Sequence, residues 1–167
     1  MRTDLVTALA IAAGLVLGGA AQAQQPAPVA APPPPEYGLP INNEQAKAAA
    51  NAAIEAAKGK FRMAIAIVGP DGELIYFEKM DGTQNASVKI AQGKARTSAL
   101  FRRASKAFAD QYAAGNTAFL TFPEQPVASE GGMPIIIGGK IAGAIGVSGG
   151  TGQQDGIVAM AGASAVK

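Results

Sequence analysis

Residues 131–162 constrain the fold of this chain more than any other stretch, because they predict a complete hairpin followed by a helix. Residues 133–137 and 140–147 are apolar runs rich in β-branched side chains, which is typical of strands. Gly138 and Gly139 lie between the runs and tolerate the positive φ angles of a two-residue hairpin turn. Beyond the hairpin, apolar residues recur at helical spacing, which predicts a helix over residues 153–166.

The second strand of this hairpin has one face of large apolar side chains and one of very small ones. The small face is formed by Ala142, Ala144, Gly146 and Ser148. Such a face allows another group to approach the backbone closely. The sequence leaves open whether that group is a helix, a second subunit or a flat ligand.

The loop after this strand, residues 148–152, reads Ser-Gly-Gly-Thr-Gly and precedes the predicted helix. Free backbone N–H groups in such a loop can hold an anion. The loop lacks both the Lys-Ser/Thr ending of a P-loop and the spacing of a dinucleotide fold. A tight structural turn, with Thr151 and Gln154 as a capping box, is the favoured interpretation, and phosphate binding is the alternative.

The remainder of the chain alternates helical and strand patterns. Asn42 with Gln45 predicts a capping box at the start of the first helix, and Gly59 ends it. Local hairpins flanked by helices predict an α+β fold with a mainly antiparallel sheet. The predicted elements are a helix over 42–58, strands over 63–68 and 73–79, helices over 87–101 and 105–112 with Ser105 as the N-cap of the latter, and an irregular segment over 117–132.

The N-terminal residues have the pattern of a processing segment. Residues 1–23 combine a positive start, an apolar run and an Ala-x-Ala motif, so we expect a signal peptide cleaved before Gln24. We therefore expect a periplasmic or secreted protein without stable membrane insertion after cleavage. Residues 24–40 are rich in Pro and Ala and predict a tether, with a Pro-rich ligand for a partner domain as the alternative. Residues 41–167 are then a single domain.

The composition excludes several classes of function. The chain has no His and no Cys, which excludes His-based zinc sites and Ser-His-Asp catalysis. Its 14 Lys and Arg against 12 Asp and Glu give a net charge of +2, too weak to indicate nucleic-acid binding. Much of the hydrophobic fraction is Ala, and the chain has 21 Gly, so less area is buried per residue and we expect a homo-oligomer.

The carboxylates are scattered along the chain. Asp71 with Glu73, and Glu78 with Asp81, lie near the two ends of one predicted strand. Such groups can form a weak oxygen-ligand site for iron or calcium. The favoured interpretation is that they form turns. No pair has a spacing that indicates acid–base catalysis.

The long helix over 87–101 carries two stripes. Val88, Ala91, Ala95 and Ala99 form the packing stripe, and the neighbouring stripe, formed by Ile90, Lys94, Thr97 and Phe101, is more polar. This second stripe is either a ligand face or a helix surface on which Lys94 extends to solvent and Thr97 bonds its own backbone.

Two blocks of sequence carry a family resemblance. The C-terminal residues GGMPI…GAIGVSGGTGQQD…A…AG resemble the signature of the GlcG/HbpS-like family, formerly DUF336, of haem-binding and haem-degrading proteins. The segment VGPDGELIYFEKMDGTQNASVKIAQGKARTSALFRRAS resembles the middle block of the same family. The resemblance extends in register from about Leu39 to the end of the chain.

The resemblance implies an α-β-α sandwich built on a five-stranded antiparallel sheet. It also implies that the ligand is haem or another tetrapyrrole, with a possible connection to iron. Because His and Cys are absent, the side-chain candidates for an iron ligand are weaker donors. On the resemblance we place a haem site at Lys94, Thr97 and Phe101, with Arg102 and Arg103 pairing with propionates and Ser105 at the following helix junction. The candidate iron ligands are Met63, Met80, Met133, Met160, the three Tyr, Lys and Thr97.

Three functions follow, in this order of preference. The first is an exported haem-binding protein that handles haem or iron or protects against oxidative stress. The second is an enzyme acting on haem or a small organic substrate, although the sequence shows no catalytic constellation. The third is a structural oligomer without a ligand, for which substitutions at Gly143 or Ala144 are expected to break assembly.

Overall fold

The computed structural model describes residues 32–167, and residues 33–167 form one compact unit. The predicted signal peptide and most of the predicted tether lie outside the described residues. The order of predicted elements is confirmed, with boundaries that differ by at most two residues. The elements are α1 (Asn43–Ala57), β1 (Ala64–Val68), β2 (Leu74–Lys79), α2 (Ser87–Leu100), α3 (Lys106–Ala113), a 3₁₀ helix (Ala118–Thr121), β3 (Gly132–Ile137), β4 (Lys140–Ser148) and α4 (Gly152–Ser164).

The four strands of the described residues form one sheet in the order β2-β1-β4-β3, and every neighbouring pair is antiparallel. The β3–β4 hairpin turns at Gly138 and Gly139, whose φ angles of 57° and 77° confirm the predicted turn. The expectation of five strands is wrong for residues 32–167. Residues 36–41 run beside the start of β4 but make only one parallel bridge, Tyr37 to Ile141. Pro40 has no N–H to donate, which limits further ladder bonding there.

One face of the sheet is covered by α1 and α4. The alanines of α1 pack with Ile65, Ile145 and Val147 of the sheet and with Val158 of α4 in one apolar cluster. Both helices begin with the predicted capping boxes, Asn42 with Gln45 and Thr151 with Gln154. These local bonds set where each helix begins, and the apolar cluster holds the helices on the sheet.

The other face is covered by α2, and this contact answers the question that the small face of β4 left open. A side chain at Gly146 would collide with the backbone of Ala91 and Ala95, so the helix backbone lies directly on the strand. Ala95 and Ala144 belong to the same buried cluster. The group that approaches the small face is therefore a helix of the same chain. Gly143 and Ala144 are occupied inside the protomer: a side chain at Gly143 would meet the Val68 carbonyl, and Ala144 is fully buried.

Two details differ from the alternating pattern. The register of β3 against β4 shifts between Ile135 and Ile136, so Ala142 is bulged and joins the cluster beneath α1 and α4 rather than the small face. In α4, Ile157 and Met160 are 61% and 55% exposed, whereas Val158 and Ala159 are buried. The apolar spacing thus predicted the helix correctly, but these two residues lie on its exposed side.

The irregular segment between α3 and β3 lies against α2. Glu124 accepts a hydrogen bond from Arg96 Nε at 2.7 Å, and the Val127 amide donates to Thr97 Oγ1 at 2.8 Å. We call residues 114–130 the strap. The strap contains the 3₁₀ helix and is otherwise irregular, in agreement with the predicted irregular segment. Among the described residues, no helix has both the length and the apolar character needed to cross a membrane.

Candidate ligand-binding site

Four phenylalanines form a contiguous aromatic cluster where α2, α3 and the strap meet. Phe101 and Phe108 are edge-to-face with 4.9 Å between ring centroids, and Phe108 meets Phe119 in the same way at 5.5 Å. Phe122 is stacked on Phe101 with 6.2 Å between centroids and 21° between ring planes. Such offset and edge-to-face pairs are the preferred aromatic arrangements and stabilise the cluster beyond its buried area.

The cluster surrounds a cavity of about 270 Å³, which we call the aromatic pocket. Phe108 and Phe119 are 3% and 2% exposed and form its floor, while Phe122 is 43% exposed and leaves ring surface open to a ligand. The lining residues are Phe101, Arg103, Phe108, Gln111, Asn116, Ala118, Phe119 and Phe122. An apolar wall with a few polar groups is typical of small-molecule sites.

Arg103 is the one charged side chain that lines the aromatic pocket. Its guanidinium carbon lies 5.9 Å from the centroid of the Phe108 ring, and its Nε donates to the Phe101 carbonyl at 3.1 Å. No carboxylate among residues 32–167 forms an ion pair with Arg103. Its charge is therefore available to a ligand carboxylate, which a guanidinium can bind in bidentate fashion.

Arg102 adjoins Arg103 in sequence but does not line the pocket. Its φ of 54° places it in the left-handed region, which is uncommon for a residue other than glycine. Its guanidinium carbon lies 5.6 Å from the centroid of the Tyr37 ring, and the Tyr37 hydroxyl donates to the carbonyls of Ala99 and Leu100. Arg102 therefore forms part of the turn that ends α2 and points the chain into α3.

Ser105 is completely buried at the junction of α2 and α3. Its hydroxyl donates to the Ser129 carbonyl and accepts from the Gly132 amide at 2.9 Å. Ser105 is the N-cap residue of α3, as predicted, but its side chain makes no capping bond. The hydroxyl instead joins the helix junction to the end of the strap and the start of β3.

Lys94 is buried, so the alternative in which its amine extends to solvent is wrong. The residue is 1% exposed, and its Nζ donates to Asp155 Oδ2 at 2.7 Å and to the Val147 carbonyl at 3.2 Å. A buried amine is costly without such partners, and the Asp155 carboxylate supplies the opposite charge. The amine is committed to this ion pair and does not reach the aromatic pocket lining.

Asp155 also explains the glycine-rich loop before α4. Its Oδ1 accepts from the Gly150 amide at 2.9 Å, while the Thr151 amide donates to the Gln154 side chain. The loop therefore holds an anion, but that anion is the protein's own carboxylate, in agreement with the favoured interpretation of a structural turn. Burial raises the pKa of Asp155, and the hydrogen bonds from Lys94 and the loop amides oppose this rise.

Thr97 is also engaged within the protein. Its hydroxyl donates to the Gly93 carbonyl at 2.8 Å, which confirms the alternative that it bonds its own helix. The same oxygen accepts from the Val127 amide of the strap. Thr97 is 3% exposed, so its oxygen joins α2 to the strap that carries Phe119 and Phe122.

The carboxylates near β2 do not converge. Among residues 32–167, no group of three or more metal-ligating side chains of the His, Cys, Asp and Glu types comes together. Asp71 Oδ1 accepts from the Glu73 amide at 3.1 Å, which agrees with its interpretation as a turn former. Glu78 accepts from the Tyr76 hydroxyl at 2.9 Å, and this bond is the main cause of the raised pKa of Tyr76.

The aromatic pocket is lined by two of the predicted site residues, Phe101 and Arg103. The other predicted site residues, which are Lys94, Thr97, Arg102 and Ser105, do not line it. Sequence reasoning missed Phe108, Phe119 and Phe122. A signal was present, since four of the six phenylalanines of the chain lie within residues 101–122. Their convergence depends on the path of the strap, which helical and strand periodicity do not describe.

Helices on both faces of an antiparallel sheet, with a pocket where α2, α3 and the strap meet, define an α+β sandwich with a ligand-sized cavity. Residues 41–164 match the family model described as "Haem degrading protein HbpS-like". The chain therefore belongs to the HbpS-like family, which confirms the resemblance identified in the sequence.

Relatives and solved structures agree with this assignment. Protein GlcG of Escherichia coli K12 is 41% identical over 94 residues, which cover 56% of this chain and 69% of that protein. The crystal structure of HbpS is 29% identical with a TM-score of 0.70 and covers 83% of this chain and 99% of that one; a double mutant of Streptomyces reticuli HbpS has the same TM-score. The PduOC:heme complex has a TM-score of 0.71 at 22% identity, covers 77% of this chain and 96% of that one, and supports the fold alone.

Proposed function

We propose that this protein is an exported haem- or tetrapyrrole-binding protein that handles haem or iron or protects against oxidative stress. The observation that carries the proposal is the aromatic pocket with Arg103 at its mouth, in a member of a family described by haem degradation. A flat apolar ring system with peripheral carboxylates matches this pocket in shape and charge. The PduOC:heme complex, which shares the fold, is consistent with this ligand class.

The residues of the pocket fit the ring of haem better than its iron. Phe101 and Phe122 offer aromatic surface, and Arg103 offers a guanidinium for a propionate. None of the lining side chains is a Met, Tyr or Lys, and the chain has no His or Cys. When bound, haem would supply the redox chemistry of its iron, while the residues of this chain would hold and orient the ring.

The other predicted site residues have positioning roles in this proposal. Thr97 and Ser105 hold the strap and the α2–α3 junction, and Lys94 fixes the opposite side of α2 through Asp155. Arg102 shapes the turn that presents Arg103. We assign no catalytic residue, since the pocket is lined by Phe, Ala, Arg and two amide side chains, none of which is a general base or a nucleophile.

A hemin titration followed by absorbance tests the proposal. We expect a saturable shift of the Soret band with the wild-type chain and weaker binding for Phe122→Ala, because about 0.5–1.5 kcal/mol of aromatic contact is lost. Tyr112→Ala is the matched control, since Tyr112 is an exposed aromatic residue that does not line the pocket. A titration identical to that of hemin with an unrelated protein would overturn the proposal.

A second candidate function is assembly of copies of this chain, and a surface of β3 and α4 favours it. Met133, Pro134, Ile136 and Met160 line an open apolar depression beside the outer strand of the sheet. Exposed apolar surface beside an edge strand is characteristic of interfaces. Met160→Lys should shift a homo-oligomer to smaller species in light scattering, whereas a mass unchanged from wild type would count against this surface.

We also propose that residues 1–23 direct export. Mass spectrometry of the protein recovered from a periplasmic fraction should give a chain beginning at Gln24. Recovery of the uncleaved chain in the cytoplasmic fraction alone would contradict export. The binding proposal does not depend on this result.

A further inference from the structure

We infer that the aromatic pocket recognises the carboxylate-bearing porphyrin ring and makes no bond to the central metal. Metal-free protoporphyrin, zinc protoporphyrin and hemin should then bind with similar affinity. The inference rests on the proposed function and extends its ligand from haem to carboxylate-bearing porphyrins with or without a central metal.

The four methionines that are candidate iron ligands all lie outside the aromatic pocket. Met63 is completely buried between the sheet and α1, and Met133 and Met160 lie on the β3–α4 surface. Met80 lines a separate depression with residues 59–62. None of these sulfur atoms lies in the lining of the aromatic pocket.

The oxygen and amine donors are likewise elsewhere or engaged. The Tyr76 hydroxyl donates to Glu78, and the Tyr37 hydroxyl donates to the carbonyls that end α2. Tyr112 is exposed and does not line the aromatic pocket. Lys94 Nζ and Thr97 Oγ1 are buried in their own contacts. The amides of Gln111 and Asn116 are the remaining polar groups of the lining, and such neutral amides are poor ligands for haem iron.

The aromatic pocket offers a stacking surface and one guanidinium. Phe122 presents a half-exposed ring nearly parallel to Phe101, which suits stacking against one edge of a macrocycle. The cavity of about 270 Å³ lies just below the range of about 300–1,000 Å³ for small-molecule sites, so it seats an edge and leaves the rest of the ring outside. Arg103 lies beside the Phe108 ring and has no carboxylate partner among the described residues. A porphyrin propionate can therefore form an ion pair with its guanidinium.

The test compares three porphyrins on the full chain, using absorbance for hemin and fluorescence for the metal-free and zinc forms. We expect dissociation constants within about threefold of one another, since no metal bond contributes. Arg103→Gln should weaken the binding of all three porphyrins by about tenfold, because one charge-assisted hydrogen bond is lost. Arg62→Gln is the matched control, because Arg62 is an exposed arginine bonded to the Asp81 carbonyl, outside the aromatic pocket lining.

Protoporphyrin dimethyl ester separates ring contacts from carboxylate recognition. It should bind about tenfold more weakly than the free acid to wild type and be insensitive to Arg103→Gln. Hemin binding at least tenfold tighter than metal-free protoporphyrin would overturn the inference and leave the proposed function intact. Failure of all three porphyrins to bind would overturn the proposed function itself, so the two failures are distinguishable.

Discussion

Lys94 of α2 and Asp155 of α4, 61 residues apart in the chain, form a buried ion pair with 2.7 Å between Nζ and Oδ2. The two helices lie on opposite faces of the sheet, and the Val147 carbonyl near the end of β4 accepts from the same amine. The ion pair therefore joins both helical layers to the inner strand β4. The net contribution of this ion pair to stability is the attraction between the two charges minus the cost of removing both from water. Loss of one partner leaves an uncompensated buried charge.

Removal of the amine alone should be strongly destabilising. Lys94→Met should lower the free energy of unfolding by about 3–5 kcal/mol, because Asp155 is then buried without its cation. Urea unfolding measures the change. Lys89→Met, on the exposed side of the same helix, should change stability by less than about 0.5 kcal/mol. If the two substitutions lowered the free energy of unfolding equally, the ion pair would not be a particular determinant of stability.

The same variant should acquire a characteristic pH dependence. Burial already raises the pKa of Asp155, and without the opposing hydrogen bond from Lys94 it should rise further. The folded state of Lys94→Met then binds a proton that the unfolded state has released, so its stability falls as pH rises from the ordinary Asp pKa of 3.8 through the raised value.

Urea unfolding of Lys94→Met between pH 4 and pH 8 tests this sign. We expect the variant to become more stable relative to wild type as the pH is lowered. Lys94→Met combined with Asp155→Asn is the control, since it has no carboxyl at that position to titrate. An identical pH dependence in the single and double variants would contradict the prediction.

The elements that sequence reasoning predicted are those set by short-range chemistry. The capping boxes at Asn42 and Thr151 and the turn at Gly138 and Gly139 depend on groups three or fewer residues apart. A pattern of this length is visible in the sequence and leaves little choice to the surrounding fold. The bulge at Ala142 was not visible, because it depends on how β3 is paired with β4.

The candidate site was predicted less well because its parts are distant in sequence. The polar stripe of α2 correctly identified Lys94 and Thr97 as unusual, but their partners, Asp155 and Val127, come from other elements. An isolated helix pattern does not distinguish a residue that faces a ligand from one that bonds the protein. The same limit applied to Phe119 and Phe122, whose strap has no regular period.

The close contact between α2 and β4 should be sensitive to a single added methyl group. Gly146→Ala should lower the free energy of unfolding by about 1–3 kcal/mol or more, because its Cβ would meet the helix backbone rather than a flexible side chain. Gly152→Ala is the matched control. Its Cβ would make only ordinary contacts with Glu130, and as the first residue of α4 it would gain at most part of the roughly 1 kcal/mol by which helix interiors favour Ala over Gly.

Thermal or urea unfolding of the two glycine variants gives the comparison directly. Destabilisation by Gly146→Ala together with neutral or improved stability of Gly152→Ala is the expected outcome. If Gly146→Ala were as stable as wild type, α2 would have to lie farther from the sheet than the structure shows.

The hydroxyl of Thr97 should hold the strap in place. Thr97→Val keeps the shape of the side chain but leaves the part-buried Val127 amide without its acceptor, which costs up to about 1–3 kcal/mol. Thr97→Ser keeps the hydroxyl and is the matched control. Hydrogen exchange at the Val127 amide should accelerate in Thr97→Val and remain close to wild type in Thr97→Ser.

This comparison also separates positioning from ligand contact at the aromatic pocket. If Thr97 acts only through the strap, Thr97→Val should weaken porphyrin binding in step with the faster exchange, because Phe119 and Phe122 are carried by the same segment. Weaker binding with exchange unchanged would instead mean that the hydroxyl touches the ligand. The buried position of Thr97 and its two hydrogen bonds favour the first outcome.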